Sequence, residues 1–239
     1  MAPKVIVFTR KFRGVPGYDL IVRDEGATVQ DYLNALHAAI ARLPLARTRR
    51  RGAQGRFAPG CFGCDRCCAE RAPLTLIDCL RLREAGDREA GGGTGEEDPE
   101  GRRSWKAFFD RCTTVTVRGP VVDIVLKRAE DGRCIFLDRQ TKLCRVYRAR
   151  PFVCRTFICS PAARRALALR EAVVNKGEDE LVRLWFTAGM VIHQAYSPRP
   201  DPRDWPPTPF AGKTRYSEVR LKDVLPGKVW RNVCCFQKG

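Results

Sequence analysis

The sequence predicts an α+β fold. Its centre is a metal-stapled cysteine-cluster domain with a β-hairpin and C-terminal helices, preceded by a small ββα segment. Three observations predict it. Cysteines recur in two blocks, Cys61-x2-Cys64-x2-Cys67-Cys68 and Cys134-x9-Cys144-x9-Cys154-x4-Cys159. The runs TTVTVRG and VVDIVLKRA alternate with period two around Gly119-Pro120, which reads as a hairpin. Apolar residues at helical spacing fill 29–43 and 178–196.

The elements follow in order. KVIVFTRKF reads as a strand, Gly14, Pro16 and Gly17 punctuate a turn, and YDLIVRDEG reads as a second strand. Thr28 is placed to cap a helix over Val29–Leu43, with Asp31 in the first turn and Leu33, Leu36, His37, Ile40 and Leu43 on one face. His37 reads as a packed core or boundary residue. Strand, turn, strand, helix resembles the first half of a ubiquitin-like β-grasp fold. Residues 44–60 form a basic linker. A helix over Pro73–Ala85, with Thr75 as N-cap, buries Cys79 as a plain thiol. Residues 86–103, rich in glycine and acid, read as a flexible insertion. A short helix at Trp105–Arg111 leads past Cys112 into the hairpin, and a short strand pair surrounds Asp138–Lys142. Ser160-Pro161 has the form of a helix start, N-cap then N1. That helix runs to about Asn175 and stops at Lys176-Gly177. A second covers Glu178–Tyr196, with His193 at its boundary. Val219–Leu225 reads as one more strand. The organisation expected is a ββα segment over 1–43, the linker, a cysteine-cluster domain over 61–196, and a Pro-rich extended tail over 197–239.

Composition narrows the function. No stretch approaches the roughly 18–20 apolar residues of a membrane span. The apolar run Val5–Phe8 is too short for the core of a signal peptide. The expected location is therefore cytoplasmic. In a reducing cytosol, twelve closely spaced cysteines read as metal ligands or redox groups rather than disulfides. With only two histidines, His37 and His193, a metal site must be mostly thiolate. The formal charge is +17. Residues 42–56 carry six arginines and no acid; residues 139–170 carry nine basic side chains and no acid. Four thiolates around Zn²⁺ or a [4Fe–4S]²⁺ core leave a charge near −2, which the second run would offset. An anionic partner is the other reading of that run.

A Cys-x2-Cys unit lets two thiolates meet one metal from a tight turn. Adjacent side chains diverge, so Cys67 and Cys68 do not both bind one mononuclear ion. The distant set Cys134, Cys144, Cys154 and Cys159 supplies the remaining ligands. Thiolate-only ligation suits both zinc and iron–sulfur. Cys234 and Cys235 lie at the end of the chain, outside both blocks.

CFGCDRCC, LIDCLRL and GRCIFLDRQTKLCRVYRARPFVCRTF together resemble the YkgJ-type CxxCxxCC proteins, a zinc- or iron-chelating family. The resemblance covers about residues 60–160 and falls on the four cysteines of the first block, Asp78, Cys134, Leu137, Cys144, Tyr147, Arg150, Pro151, Cys154 and Arg155. Asp65 stands where the family often has glycine. The flagellin lysine methylases, which pair an iron–sulfur cluster with S-adenosylmethionine, carry a similar block. The resemblance thus implies a zinc or iron–sulfur centre with a structural, redox or metal-handling role. The alternative is a cluster-dependent, methylase-like enzyme acting on protein or RNA, with Tyr147, Arg150 and Arg155 lining an anionic cofactor site. No glycine-rich cofactor loop or radical S-adenosylmethionine spacing accompanies it. A nucleic-acid-binding module is the third reading, without any recognition-helix or RNA-binding signature.

Overall fold

The computed structural model describes residues 2–40, 65–89, 105–119, 121–158, 160–187 and 201–234. It mixes helix and strand around two small hairpins. Strands β1 (Val5–Phe12) and β2 (Val15–Val22) pair antiparallel, with Val5 opposite Val22. The turn is Arg13-Gly14 alone, both at positive φ (49° and 82°), as a two-residue hairpin turn requires. Pro16 and Gly17 fall inside β2. A Cβ on Gly17 would stand 2.1 Å from the Pro161 carbonyl oxygen, so this glycine serves close approach, not the turn.

Helix α1 (Val29–Ile40) starts as expected. The Asp31 amide donates to Thr28 Oγ1 at 3.2 Å, and Asp31 Oδ2 accepts from the Thr28 amide at 2.8 Å. This is a capping box with aspartate in the N3 role. His37 is exposed, not packed: the buried stripe is Val29, Tyr32, Leu33, Leu36 and Ala39, and His37 falls beside it. Helix α2 (Leu76–Glu89) begins after Thr75 and runs through Gly86–Glu89, which the sequence reads as insertion. Residues 90–104 lie outside the described residues. Helix α3 (Trp105–Cys112) leads into β3 (Thr113–Arg118), which pairs antiparallel with β4 (Val121–Leu126). On its far side, β4 pairs with the segment after the first cysteine block. The Leu126 amide donates to Ala72 O and the Leu74 amide to Ile124 O. Helix α4 (Phe152–Thr156) is short, and α5 spans Arg164–Thr187.

Three sequence expectations are corrected here. Ser160-Pro161 does not open a helix. Tyr18 donates to Pro161 O and Ala163 donates back to Tyr18 O, so residues 161–163 bridge to β2 and α5 starts only at Arg164. Gly177 does not end a helix, because α5 runs through it. A Cβ there would meet Thr75 Cγ2 at 2.5 Å, so the glycine admits α2's cap against α5. Val219–Leu225 is not a strand. Val219 and Arg220 pair with residues 27–29, and the chain then turns into α6 (Leu221–Val224), followed by α7 (Gly227–Val233). His193 and the second half of the expected 178–196 helix lie outside the described residues.

Helix α5, about 36 Å long at 1.5 Å per residue, joins two apolar cores. Ala166, Leu169, Val173 and Val174 pack against β1–β2, α1 and the C-terminal residues Phe210, Tyr216, Leu221 and Val233. Leu181, Val182 and Trp185 pack against α2, α3 and the second hairpin. Residues 210–233, within the expected tail, thus supply core side chains. The start of α5 is held to β2 by Asp19, which is buried and takes two bonds from Arg165 (2.6 and 2.9 Å) and one from Arg10 (2.9 Å). Among the described residues no helix is long and apolar enough to cross a membrane.

Two predictions arise from α5. Replacing Gly177 with Ala is expected to destabilise by roughly 1–3 kcal/mol through overpacking, outweighing alanine's helix preference of about 1 kcal/mol; urea unfolding measures it. Glu178 accepts the Ile124 amide and shares a hydrogen bond with Asp123, which Arg71 grips through two donors. Burial first, then Asp123, push its carboxyl from 4.5 up to about 8. The folded state therefore holds a proton that the unfolded chain releases. The stability this proton contributes is complete below pH 4.5 and is lost as pH rises through about 8. Unfolding midpoints should fall over that interval in the wild type and stay flatter in Glu178→Gln.

Candidate metal centre

The cysteine blocks meet where β4, the 128–145 loops and α4 converge. Cys67 and Cys68 sit on a 3₁₀ turn, Arg66–Ala69. Asp65 opens the turn with φ −98°, a conformation that needs no glycine, and its backbone oxygen accepts the Cys68 amide at 3.0 Å. Its carboxylate takes Arg133 at 2.7 Å. The departure from the family pattern is therefore an anchor between the blocks. One residue on, the Cys134 amide donates to Cys68 O at 2.8 Å, so backbone and side chain join the blocks together.

Cys134 and Cys144 are set by a tight fold-back. Cys134 bridges to Arg128, and Leu137 bridges to Cys144. Between them, Asp138 Oδ1 accepts the Gln140 and Thr141 amides, and Lys142 takes positive φ (58°). Arg139 clamps the loop from outside, donating to the carbonyls of Cys134 and Leu137 while gripping Asp131. The Phe136 amide points at Cys134 Sγ, 3.4 Å away. An N–H aimed at sulfur favours thiolate.

Cys154 is placed from further off. Its helix starts after Pro151, which leaves the Phe152 amide without a helical acceptor. That amide donates to Asp78 Oδ1 at 2.7 Å. The same oxygen accepts the Tyr216 hydroxyl at 2.7 Å, and Asp78 Oδ2 accepts the Thr75 amide at 3.1 Å. Thr75 Oγ1 lies 2.7 Å from the Tyr216 hydroxyl and accepts the Asp78 amide. The carboxyl is fully buried, and burial outweighs these donors enough to raise its pKa.

Cys67, Cys68, Cys134, Cys144 and Cys154 line one cavity of about 50 Å³, with Leu126, Phe136 and Leu143 in its walls. Burial pushes the Cys134 thiol up to about 11, and the neighbouring Cys144 and Cys67 add to the rise against the Phe136 amide and Arg139. Burial raises Cys154 well above the usual thiol range, reinforced by Cys67, Cys134 and Cys144. The neighbouring thiols thus oppose ionisation of Cys134 and Cys154 across one space. Among the described residues, no three His, Cys, Asp or Glu side chains are already arranged to hold a metal ion. The donor set nonetheless suits a thiophilic one: all-sulfur, in an apolar pocket, with one amide aimed at sulfur. Three cations, Arg128, Lys142 and Arg150, against Glu70 alone give the wall the positive excess that a four-thiolate centre calls for. Cys61, Cys64 and Cys159 lie outside the described residues, as does Cys235. Cys79 and Cys112 are buried in the second core, and Cys234 pairs with Val22, away from the cavity.

Residues 60–177 match the CxxCxxCC family model, described as "Putative zinc- or iron-chelating domain". This stretch belongs to the CxxCxxCC family. No curated protein and no solved structure matches the chain. The matched stretch contains every cysteine of the cavity, and within it Asp78 holds the Phe152 amide, two residues before Cys154.

Of the three residues expected at an anionic cofactor site, two reach the cavity. Tyr147 and Arg150 line it, with the Arg150 guanidinium 3.8 Å above the Tyr147 ring and Nε donating to Tyr147 O. Arg155 is not in its lining. It is half-buried, and its pKa is lowered by burial and then by Arg81. Sequence reasoning did not find Tyr216, which lies far from the motif in an otherwise unmarked segment. The Thr75-x2-Asp78 spacing repeats Thr28-x2-Asp31, so this second capping box was legible.

Asp78→Asn keeps the oxygen that accepts Phe152 and Tyr216 but brings an amide hydrogen to the Thr75 N–H. The expected loss is roughly 1–3 kcal/mol for the unsatisfied donor. Denaturant unfolding checks the loss, and Tyr216→Phe should show a smaller one.

Proposed function

We propose that this is a cytosolic metal-binding protein whose zinc or iron–sulfur centre is held by the thiolates of Cys67, Cys134, Cys144 and Cys154. Cys68, Cys61, Cys64 and Cys159 are the further donors. The carrying observation is that four thiols from four separate stretches of chain share one apolar cavity. Family membership points the same way. Zinc would supply a crosslink, and an iron–sulfur cluster electron transfer as well. The residues' own part is defined. The Cys134–Cys68 backbone bond and the Asp65–Arg133 pair hold the blocks in register, and Arg128, Lys142 and Arg150 balance thiolate charge. Joining residues 67 and 134 through metal also closes a long loop, which stabilises the fold.

A second reading, a cluster-dependent enzyme using S-adenosylmethionine on protein or RNA, draws on the Arg150–Tyr147 stack at the cavity wall. There a guanidinium would meet a cofactor carboxylate. Calorimetry with S-adenosylmethionine decides it, and absence of binding removes it.

Anaerobic purification with metal analysis and an absorbance spectrum tests the main reading. Stoichiometric zinc without colour, or iron and sulfide with visible absorption, is expected. Cys67→Ser, Cys134→Ser, Cys144→Ser and Cys154→Ser should each lose most of the bound metal, whereas Cys234→Ser should keep it. A folded, metal-free protein overturns the proposal.

A further inference from the structure

Next to the cysteine cavity, sharing Val146 and Tyr147 with it, lies a second, larger hollow of about 530 Å³. Helix α2 supplies Arg81 and Glu84 to one wall, and the connector between Cys144 and Cys154 supplies Arg145, Tyr147 and Arg148 to the other. Three guanidinium groups face one carboxylate. What positions them is unusual for this molecule. Elsewhere most anchored arginines are held by carboxylates: Arg71 by Asp123, Arg133 by Asp65, Arg139 by Asp131, Arg165 by Asp19 and Arg183 by Glu180, with Arg150, on the Tyr147 carbonyl, an exception. Here backbone oxygens hold two of the three. Arg81 reaches across to Arg148 O at 2.5 Å and ties the two walls together, and Arg145 donates to Ile135 O at 2.7 Å. A carbonyl fixes a guanidinium without neutralising it, and each retains further N–H donors. Among the described residues none of Arg81, Arg145 and Arg148 forms an ion pair with a carboxylate, although Arg145 stands near enough to Asp138 to help lower its pKa.

We propose that this hollow is a binding site for the phosphate groups of a small phosphorylated molecule, a di- or triphosphate. Guanidinium forks match phosphate oxygens in geometry and charge. The volume is in the range of small-ligand sites rather than of a track for a polymer. Offsetting the thiolate centre does not account for these residues, because the cations that line the cysteine cavity are Arg128, Lys142 and Arg150. Arg155, half-buried, stands close enough to Arg81 for the two charges to repel. Tyr147 and Val146 line both spaces, so an occupied hollow abuts the segment that spaces Cys144 from Cys154. The site itself does not depend on which metal, if any, fills the cavity.

The test is calorimetry on the full chain as purified, at fixed salt, with inorganic pyrophosphate and ATP as probes and sulfate as a control for charge alone. Saturable binding of pyrophosphate or ATP is expected, with sulfate far weaker. Arg148→Ala and Arg145→Ala should each weaken it about tenfold, the scale of one charge-assisted contact. Arg23→Ala, at an exposed arginine just after β2, should leave it unchanged. Arg148 contributes its carbonyl, not its side chain, to the bond with Arg81, so Arg148→Ala keeps that bond. Its thermal unfolding and metal content should match the wild type. Loss of metal from the arginine variants with unchanged phosphate affinity would mean that the arginines serve the centre, and would overturn the site. Absence of binding, equal binding of sulfate, an equal loss in Arg23→Ala, or binding of a single-stranded oligonucleotide but of neither probe would also overturn it. A metal-free protein that still binds pyrophosphate would leave the site standing and remove only the metal reading.

Discussion

The structure depends on one buried carboxylate. Asp78 takes the Thr75 amide, the Phe152 amide and the Tyr216 hydroxyl, and so joins the start of α2, the start of α4 and the C-terminal segment. The proton order is set by counting. Tyr216 has one hydrogen, which goes to Asp78, so Thr75 Oγ1 must donate to the Tyr216 oxygen. Thr75 Oγ1 in turn accepts the Asp78 amide. Every donor in this ring has an acceptor, which is the condition for keeping a polar group away from water. Gly177 explains why the ring can be dry: α5 crosses so close to Thr75 that no side chain fits between them. Cys154 lies two residues beyond Phe152, so the same ring decides where its sulfur stands.

The other thiols reach the cavity by local means. A 3₁₀ turn presents Cys67, a bridge to Arg128 fixes Cys134, and the fold-back at Asp138–Lys142 returns the chain at Cys144. None of these segments has much regular structure to hold it. Arginines replace that support, by bonding to carbonyls and to acids: Arg133 on Asp65, Arg139 on Asp131 and two carbonyls, Arg145 on Ile135. The basic character of residues 133–150 is therefore partly architectural. It holds loops that hydrophobic burial is too sparse to hold.

Much of this was legible in the sequence where the signal is local. Alternation located both hairpins, and Thr28 and Thr75 marked helix starts because a hydroxyl before an apolar run has few other uses. Of the eight cysteines grouped from the sequence, Cys67, Cys68, Cys134, Cys144 and Cys154 share a cavity, and Cys61, Cys64 and Cys159 lie outside the described residues. What failed was reading glycine and proline by local rules when their role is tertiary. Gly177 looks like a helix stop and is a packing contact. Gly17 looks like part of a turn and is a seat for Pro161. Ser160-Pro161 has the composition of an N-terminus, but its backbone is recruited by β2 first. His37 was misplaced by one position around its helix. The partnership of Tyr216 with Asp78, 138 residues apart, leaves no trace in any window of sequence.

The acidity of the thiols limits what the cavity can do. With Cys134 pushed to about 11 and Cys154 well above the usual range, little thiolate is present at neutral pH without a cation. A soft cation reverses the balance, because each thiolate it gains relieves the desolvation that raised the pKa. The Phe136 amide and the cations of the wall act in the same direction, favouring the charged form. The surroundings thus resist ionisation of the thiols one at a time and support it when all ionise together around metal. Thiophilic metal binding at such thiols would therefore be tied to proton release.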